Sequence, residues 1–228
     1  MNKLMTTVAA ISLAAMTASA NSSEFRAGAI LNGAADYATA TETLKDSGRR
    51  HTQEAVLAHN YFSVFAEFAI DAGNGIAFGI EYAPESIELE AETRVLDQDA
   101  RLGGGTNDDG TQTIDGQVSD LLTVYVSVPL GATGAYARLG YNTATLDTRE
   151  TLTTGSTYSS VDMTGTQLGV GYMGNIGERA FYRIEGNYNA WEDIAVNGSE
   201  VGGTAGSFNK IDAKITGASA RLAVGMAF

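Results

Sequence analysis

The chain has two histidines, His51 and His59, and His59 lies four residues before Ser63. An imidazole beside a hydroxyl can act as general base to a nucleophile when both reach one reacting atom. A spacing of four does not impose that geometry, and a histidine without catalytic work is the simpler reading. A second candidate is acidic. Between Glu85 and Gln117 stand Glu85, Glu88, Glu90, Glu92, Asp97, Asp99, Asp108, Asp109 and Asp115, against Arg94 and Arg101. Its stretch Gly103 to Gly110 (GGGTNDDG) offers the carboxylate oxygens that calcium prefers, but it lacks the EF-hand ligand spacing. A solvated acidic loop is expected there, and no metal site is assigned. The third candidate is a set of six charges, Glu67, Glu81, Arg138, Arg183, Glu185 and Arg221, each interleaved with apolar neighbours. Three acids and three bases in one enclosed space can neutralise one another or line a path for ions.

Composition removes other chemistries. With no cysteine among 228 residues there is no thiol nucleophile, disulfide framework or cysteine-based metal site. Lys+Arg number 14 against 27 Asp+Glu, for a formal charge of -13, so no basic surface exists to neutralise a phosphate backbone. Nucleic acid is not an expected partner. The glycine-rich segments lack the lysine and the strand-to-helix setting of a phosphate loop, and no cofactor is expected. A hydrophobic fraction of 44% is enough for an ordered core, and the length fits one barrel or sandwich, or at most two small domains.

The first residues read as an address. Lys3 is followed by an apolar or small-residue stretch from Leu4 to Met16, then by Ala18-Ser19-Ala20. That order is a secretory signal with cleavage expected after Ala20, leaving residues 21–228 as the mature domain. The stretch is too short for a membrane anchor, which needs roughly 20 residues as a helix. No later apolar run reaches helical spanning length. If the mature chain enters a membrane, a closed barrel is the remaining route.

The positions of the six charges follow from period two. Phe62, Val64, Ala66, Phe68 and Ile70 alternate with Ser63, Phe65, Glu67 and Ala69, which is a strand pattern. Ala72-Gly73-Asn74-Gly75 suits a tight turn, and Ile76, Phe78, Ile80 and Tyr82 resume against Ala77, Gly79 and Glu81. Leu122 to Val128 and Ala135 to Tyr141 repeat the unit around Gly131-Ala132-Thr133-Gly134. A third hairpin places Leu168, Val170 and Tyr172 before Gly174-Asn175-Ile176-Gly177, then Tyr182, Ile184 and Tyr188 after it. A last strand sets Ala218, Ala220, Leu222, Val224, Met226 and Phe228 on one face. An even count requires one more strand, for which Phe25 to Tyr37 is the candidate, although the alanines from Ala34 to Lys45 also suit a helix. Between the hairpins lie polar segments, Thr41 to Ala58, Glu85 to Gln117, Asp147 to Asp162 and Glu192 to Asn209, expected to be long loops at one rim. Past a break at Pro84, the alternation of Ile87, Leu89 and Ala91 with Glu88, Glu90 and Glu92 is expected to prolong its strand.

Alternation alone does not tell a soluble barrel from a membrane barrel, which has the two faces exchanged. One face here is almost wholly aliphatic or aromatic, and the other carries the six charges among Gly, Ser, Thr and Asn. Exposed to water, the first face would be a very large apolar patch. Tyr82, Tyr141 and Tyr188 end it at the rim of long segments, and Tyr172, Tyr182 and Phe228 at the rim of tight turns, as interfacial aromatic girdles do.

The segment Gln167 to Trp191 (QLGVGYMGNIGERAFYRIEGNYNAW) and the terminal Phe228 resemble the small OmpA/OmpX-like outer-membrane barrels of Gram-negative bacteria. The resemblance implies an eight-stranded antiparallel up-and-down transmembrane β-barrel, all-β, with short periplasmic turns and long extracellular loops. It implies outer-membrane lipid and the barrel assembly machinery as partners, with Phe228 as a C-terminal insertion signal. The chain stops at Phe228, so the peptidoglycan-anchoring domain of larger relatives is not expected. Some barrels of this size are lipid A acyltransferases or deacylases using His with Ser or Asp at the outer rim, and His59 with Ser63 would be that pair. The expected function is non-enzymatic: envelope structure and surface loop display. A small porin-like channel is the alternative, and a lipid-modifying enzyme is the less favoured third. Eight strands enclose little more than side chains, so the six charges are expected to form a self-satisfied plug.

Overall fold

The structure, a computed structural model, describes residues 23–43, 48, 50–70, 75–96, 110–150, 158–200 and 208–228. The leader segment 1–20, the turn residues 72–74 and the glycine-rich acidic stretch 103–109 lie outside the described residues. The strands are β1 (Ser23–Thr43), β2 (Arg50–Ile70), β3 (Ala77–Tyr82), β4 (Ile87–Leu96), β5 (Gly110–Pro129), β6 (Ala135–Glu150), β7 (Val161–Ile176), β8 (Ala180–Trp191), β9 (Ile194–Glu200) and β10 (Phe208–Ala227). All pairings are antiparallel, and β10 closes on β1 from Arg26↔Ala227 to Thr43↔Lys210.

Ten strands make eight staves. Tyr82 of β3 faces Leu122 and Ile87 of β4 faces Val118, both on β5, so β4 prolongs β3 past the interruption at Pro84. Ala190 of β8 and Ile194 of β9 likewise face Thr216 and Ala213 on β10. The chain therefore closes as an eight-staved antiparallel barrel, and sheet edges are removed where the seam pairs.

The first stave is a strand from Ser23 to Thr43, longer than the Phe25 to Tyr37 expected, and the helical option for its alanines is not taken. One turn expectation shifts. Gly174, Asn175 and Ile176 remain in β7, Ile176 pairs with Ala180, and the turn is Gly177 to Arg179, with Gly177 at φ 80°. The polar segments are corrected more heavily. Among the described residues Thr41 to Ala58, Glu85 to Gln117 and Glu192 to Asn209 are largely ladder, since β1 runs to Thr43, β2 starts at Arg50, β4 and β5 fill 87–96 and 110–117, and β9 fills 194–200, while Asp147 to Asp162 is ladder at its two ends, where β6 runs to Glu150 and β7 starts at Val161. Hydropathy averaged over the two faces reads as polar there and hid strands whose backbones still pair. β1 and β2 have 21 residues each, where about 9–11 cross a bilayer, so both project well beyond it.

The barrel has two storeys. In the lower one Leu31, Leu139, Leu168, Ile184 and Leu222 point outward and are at least half exposed, while Arg138, Gln167, Arg183 and Arg221 are buried inside. Higher up the strand phase continues but the polarity reverses. Asn142 and Ala144 face the same interior, as do Gln167 and Met163, yet Ala144 and Met163 join Ile194 in an apolar core packed by Val118, Leu146, Trp191 and Ile215. On β5 a bulge at Asp120, whose φ is 53°, inserts one residue between Ser119 and Leu122 and turns Val118 inward.

Candidate functional site in the barrel interior

The site follows from inward-facing positions of the lower storey. Glu67 on β2 accepts Arg183 of β8 through both carboxylate oxygens, with Nη1 to Oε2 at 2.8 Å. Arg26 Nη1 is 3.2 Å from Glu67 Oε1, and the Tyr125 hydroxyl donates to Oε2 at 3.0 Å. A second group lies around Glu81. Arg138 Nη2 donates to Oε2 at 2.7 Å, Arg221 donates to the same oxygen, and the Ser63 hydroxyl donates to Oε1 at 2.7 Å. Arg138 and Arg221 also reach Glu185 Oε2, at 3.5 Å and 3.1 Å, and the Tyr136 hydroxyl donates to Oε1. Aromatic faces complete the packing: the Arg138 guanidinium carbon stands 3.6 Å from the Tyr125 ring centroid, and that of Arg183 4.9 Å from Phe181.

The structure thus brings Glu67, Glu81, Arg138, Arg183, Glu185 and Arg221 together in the interior as two adjoining buried clusters, with Tyr125 between them. It adds Arg26, 5% exposed, with Glu24 at its rim accepting from Arg26 Nε. Four guanidiniums meet three buried carboxylates, and Glu24 supplies the fourth. Arg26 was legible as a polar residue on the inner face of its strand, but nothing in the sequence set its register against Glu67. Two close approaches make room for the rings. A Cβ at Gly79 would lie 2.3 Å from Tyr125 Cζ, and one at Gly171 2.6 Å from Tyr136 Cζ, so each ring lies flat over the glycine opposite it in the ladder.

His59 and Ser63 do not act on one another. Ser63 donates to Glu81 and accepts from Asn32 Nδ2 at 2.9 Å, whereas His59 Nε2 is 3.6 Å from Asp36 Oδ2 and its ring stacks on Tyr61. The side chain of His51 is outside the described residues. Of the acidic segment, Glu85 is exposed and Glu88 accepts from Gln117 Nε2 at 2.6 Å. At the other rim the Phe228 N–H donates to Phe25 O at 2.8 Å, and the two rings lie 6.1 Å apart. The Phe228 side chain is 69% exposed on the outer face.

No family model matches the chain, and no curated protein does. Among solved structures it is similar to the outer membrane protein OprG from Pseudomonas aeruginosa, at 12% identity over 91% of this chain and 96% of that one, with a TM-score of 0.51. The outer membrane protease OmpT from Escherichia coli matches at 10% identity over 94% and 100%, with a TM-score of 0.48. Ail, the attachment invasion locus protein of Yersinia pestis, in complex with a heparin analogue, matches at 11% identity over 90% and 99%, with a TM-score of 0.38. The likeness to OprG is one of fold. That fold, with a lower storey that is apolar outside and charged within, defines the class: an integral β-barrel protein of the outer-membrane type.

Proposed function

We propose that the mature chain, residues 21–228 after removal of the leader, is a non-enzymatic protein of the Gram-negative outer membrane whose lumen is closed by its own charges. The observation that carries this reading is a pair of buried ion clusters, Arg26 and Arg183 on Glu67, and Arg138 and Arg221 on Glu81 and Glu185, which adjoin through Tyr125, whose hydroxyl donates to Glu67 and whose ring lies under the Arg138 guanidinium. Their charges meet one another inside the protein, the guanidiniums of Arg26, Arg138, Arg183 and Arg221 against the carboxylates of Glu24, Glu67, Glu81 and Glu185, and buried charges persist only when compensated. The role is then mechanical and presentational: a stave-and-seam frame in lipid that holds long acidic extensions outside the cell. In this reading Phe228, exposed on the outer face just past β10, is the terminal insertion signal.

A small porin-like channel is the second reading, supported by a recess on each side of the network, one at Asp36 and His59 and one at Arg26, Gly131 and Met173. Planar-bilayer recording separates the two. The closed frame gives no steady conductance, and a stable channel whose ion selectivity changes in Arg138→Gln would establish the second reading instead. Cell fractionation, with gel mobility before and after boiling, tests location: the protein should stay with outer membranes and migrate differently when unheated.

A further inference from the structure

The upper-storey interior holds a recess that the charge network does not use. It contains about 660 Å3 of empty space, counting the part continuous with solvent. Its walls are apolar and soft, with Leu57, Leu121, Met163 and Trp191 among them, and Trp191 is the chain's single tryptophan. Polar groups gather at one level. Asn189 Oδ1 accepts from Gln167 Nε2 at 3.1 Å and from Asn142 Nδ2 at 3.3 Å, which orients the Gln167 amide and leaves Oε1 as a free acceptor. Gln167 is 5% exposed, and its Oε1 has no hydrogen-bond partner among the described residues. His59 Nδ1 is buried in the same condition, and Asp36 lies beside its Nε2. Among the described residues no lysine or arginine lines the recess, and Asp36 is its one carboxylate.

A buried acceptor without a donor is costly until a donor arrives. Here an oriented amide oxygen, an imidazole nitrogen and a carboxylate share one space, so the missing group is a donor with positive charge. A primary ammonium brings three donors and no acceptor. The aliphatic, thioether and indole walls require an apolar body behind it, and a chain of formal charge -13 draws cations toward it. We propose that this recess binds a small organic amine, a primary ammonium carried on an apolar or aromatic body.

Trp191 provides the readout. Full-length folded protein in nonionic detergent is titrated with 2-phenylethylamine, 2-phenylethanol or 3-phenylpropionate while Trp191 emission is followed. The amine should give a saturable change, the alcohol should bind at least tenfold more weakly, and the carboxylate should give no saturable change. Asp36→Asn should weaken the amine at least tenfold while keeping the heat-dependent gel mobility of the folded barrel. The comparison of three probes on the unsubstituted protein stands even if that variant does not fold. The proposal is overturned by equal, non-saturating responses to all three probes, by no response to millimolar amine, by preference for the carboxylate, or by folded Asp36→Asn retaining full affinity.

Discussion

Arg138 on β6 places Nη2 2.7 Å from Glu81 Oε2 on β3, joining staves separated by β5 across the interior. Arg138 is 2% exposed and Glu81 5%, so neither charge has water to fall back on. Removing one member of such a buried set costs about 3–5 kcal/mol, because Glu81 and Glu185 would then share Arg221 alone and one buried negative charge stays uncompensated. Arg138→Met should therefore lower unfolding stability in detergent by that order. The double variant Arg138→Met/Glu81→Gln should lose less than the two single changes added together. A double-mutant cycle on urea midpoints checks both statements.

Gly79 gives a sharper steric test. Its added methyl would overlap the Tyr125 ring, whose hydroxyl holds Glu67, so Gly79→Ala should displace the ring and destabilise by about 1–3 kcal/mol. Gly186 has open space where a Cβ would go and faces outward. Gly186→Ala should shift stability by less than about 0.5 kcal/mol. Equal effects at the two positions would remove the packing argument for Gly79.

The direction of each stave can be read chemically. The chain has no cysteine, so single cysteines introduced as Ile184→Cys and Glu185→Cys report without background. A bilayer-restricted thiol reagent should label the first and spare the second. In the same frame Leu222→Arg should cost about 2–4 kcal/mol near the bilayer midplane and less toward its surfaces, measured by folding into lipid vesicles.

Ser63 is a structural donor in this arrangement. Ser63→Ala removes a hydrogen bond to a buried carboxylate and should cost about 1.5–3 kcal/mol. His59→Ala should leave envelope lipid composition unchanged, as mass spectrometry of extracted lipids would show. A change in lipid acylation would return an enzymatic role to consideration.

Period two was enough to place most staves and to show which side chains share a face, because one residue of slip would move a whole apolar set from lipid to lumen. Phe62 to Ile70 and Ala218 to Phe228 are legible in this way. The upper storey was not, because hydropathy there was averaged over both faces. Following phase instead, from Asn142 to Ala144 or from Gln167 to Met163, would have revealed continuous strands whose inner face becomes apolar. Cross-barrel partners were beyond reach for another reason. Ser63 meets Glu81 only through the register of β2 on β3, and that register depends on the turn between them rather than on either strand's own pattern.

The seam of β1 with β10 bears on biogenesis. A ribosome releases β1 first and β10 last, so these two partners cannot meet while translation is still under way. Until they do, the polypeptide carries two bare hydrogen-bonding margins and an oily surface, a state prone to aggregate in any aqueous compartment it crosses. Pairing of this one seam removes both margins together, so the last-made strand completes the barrel that the first-made strand began.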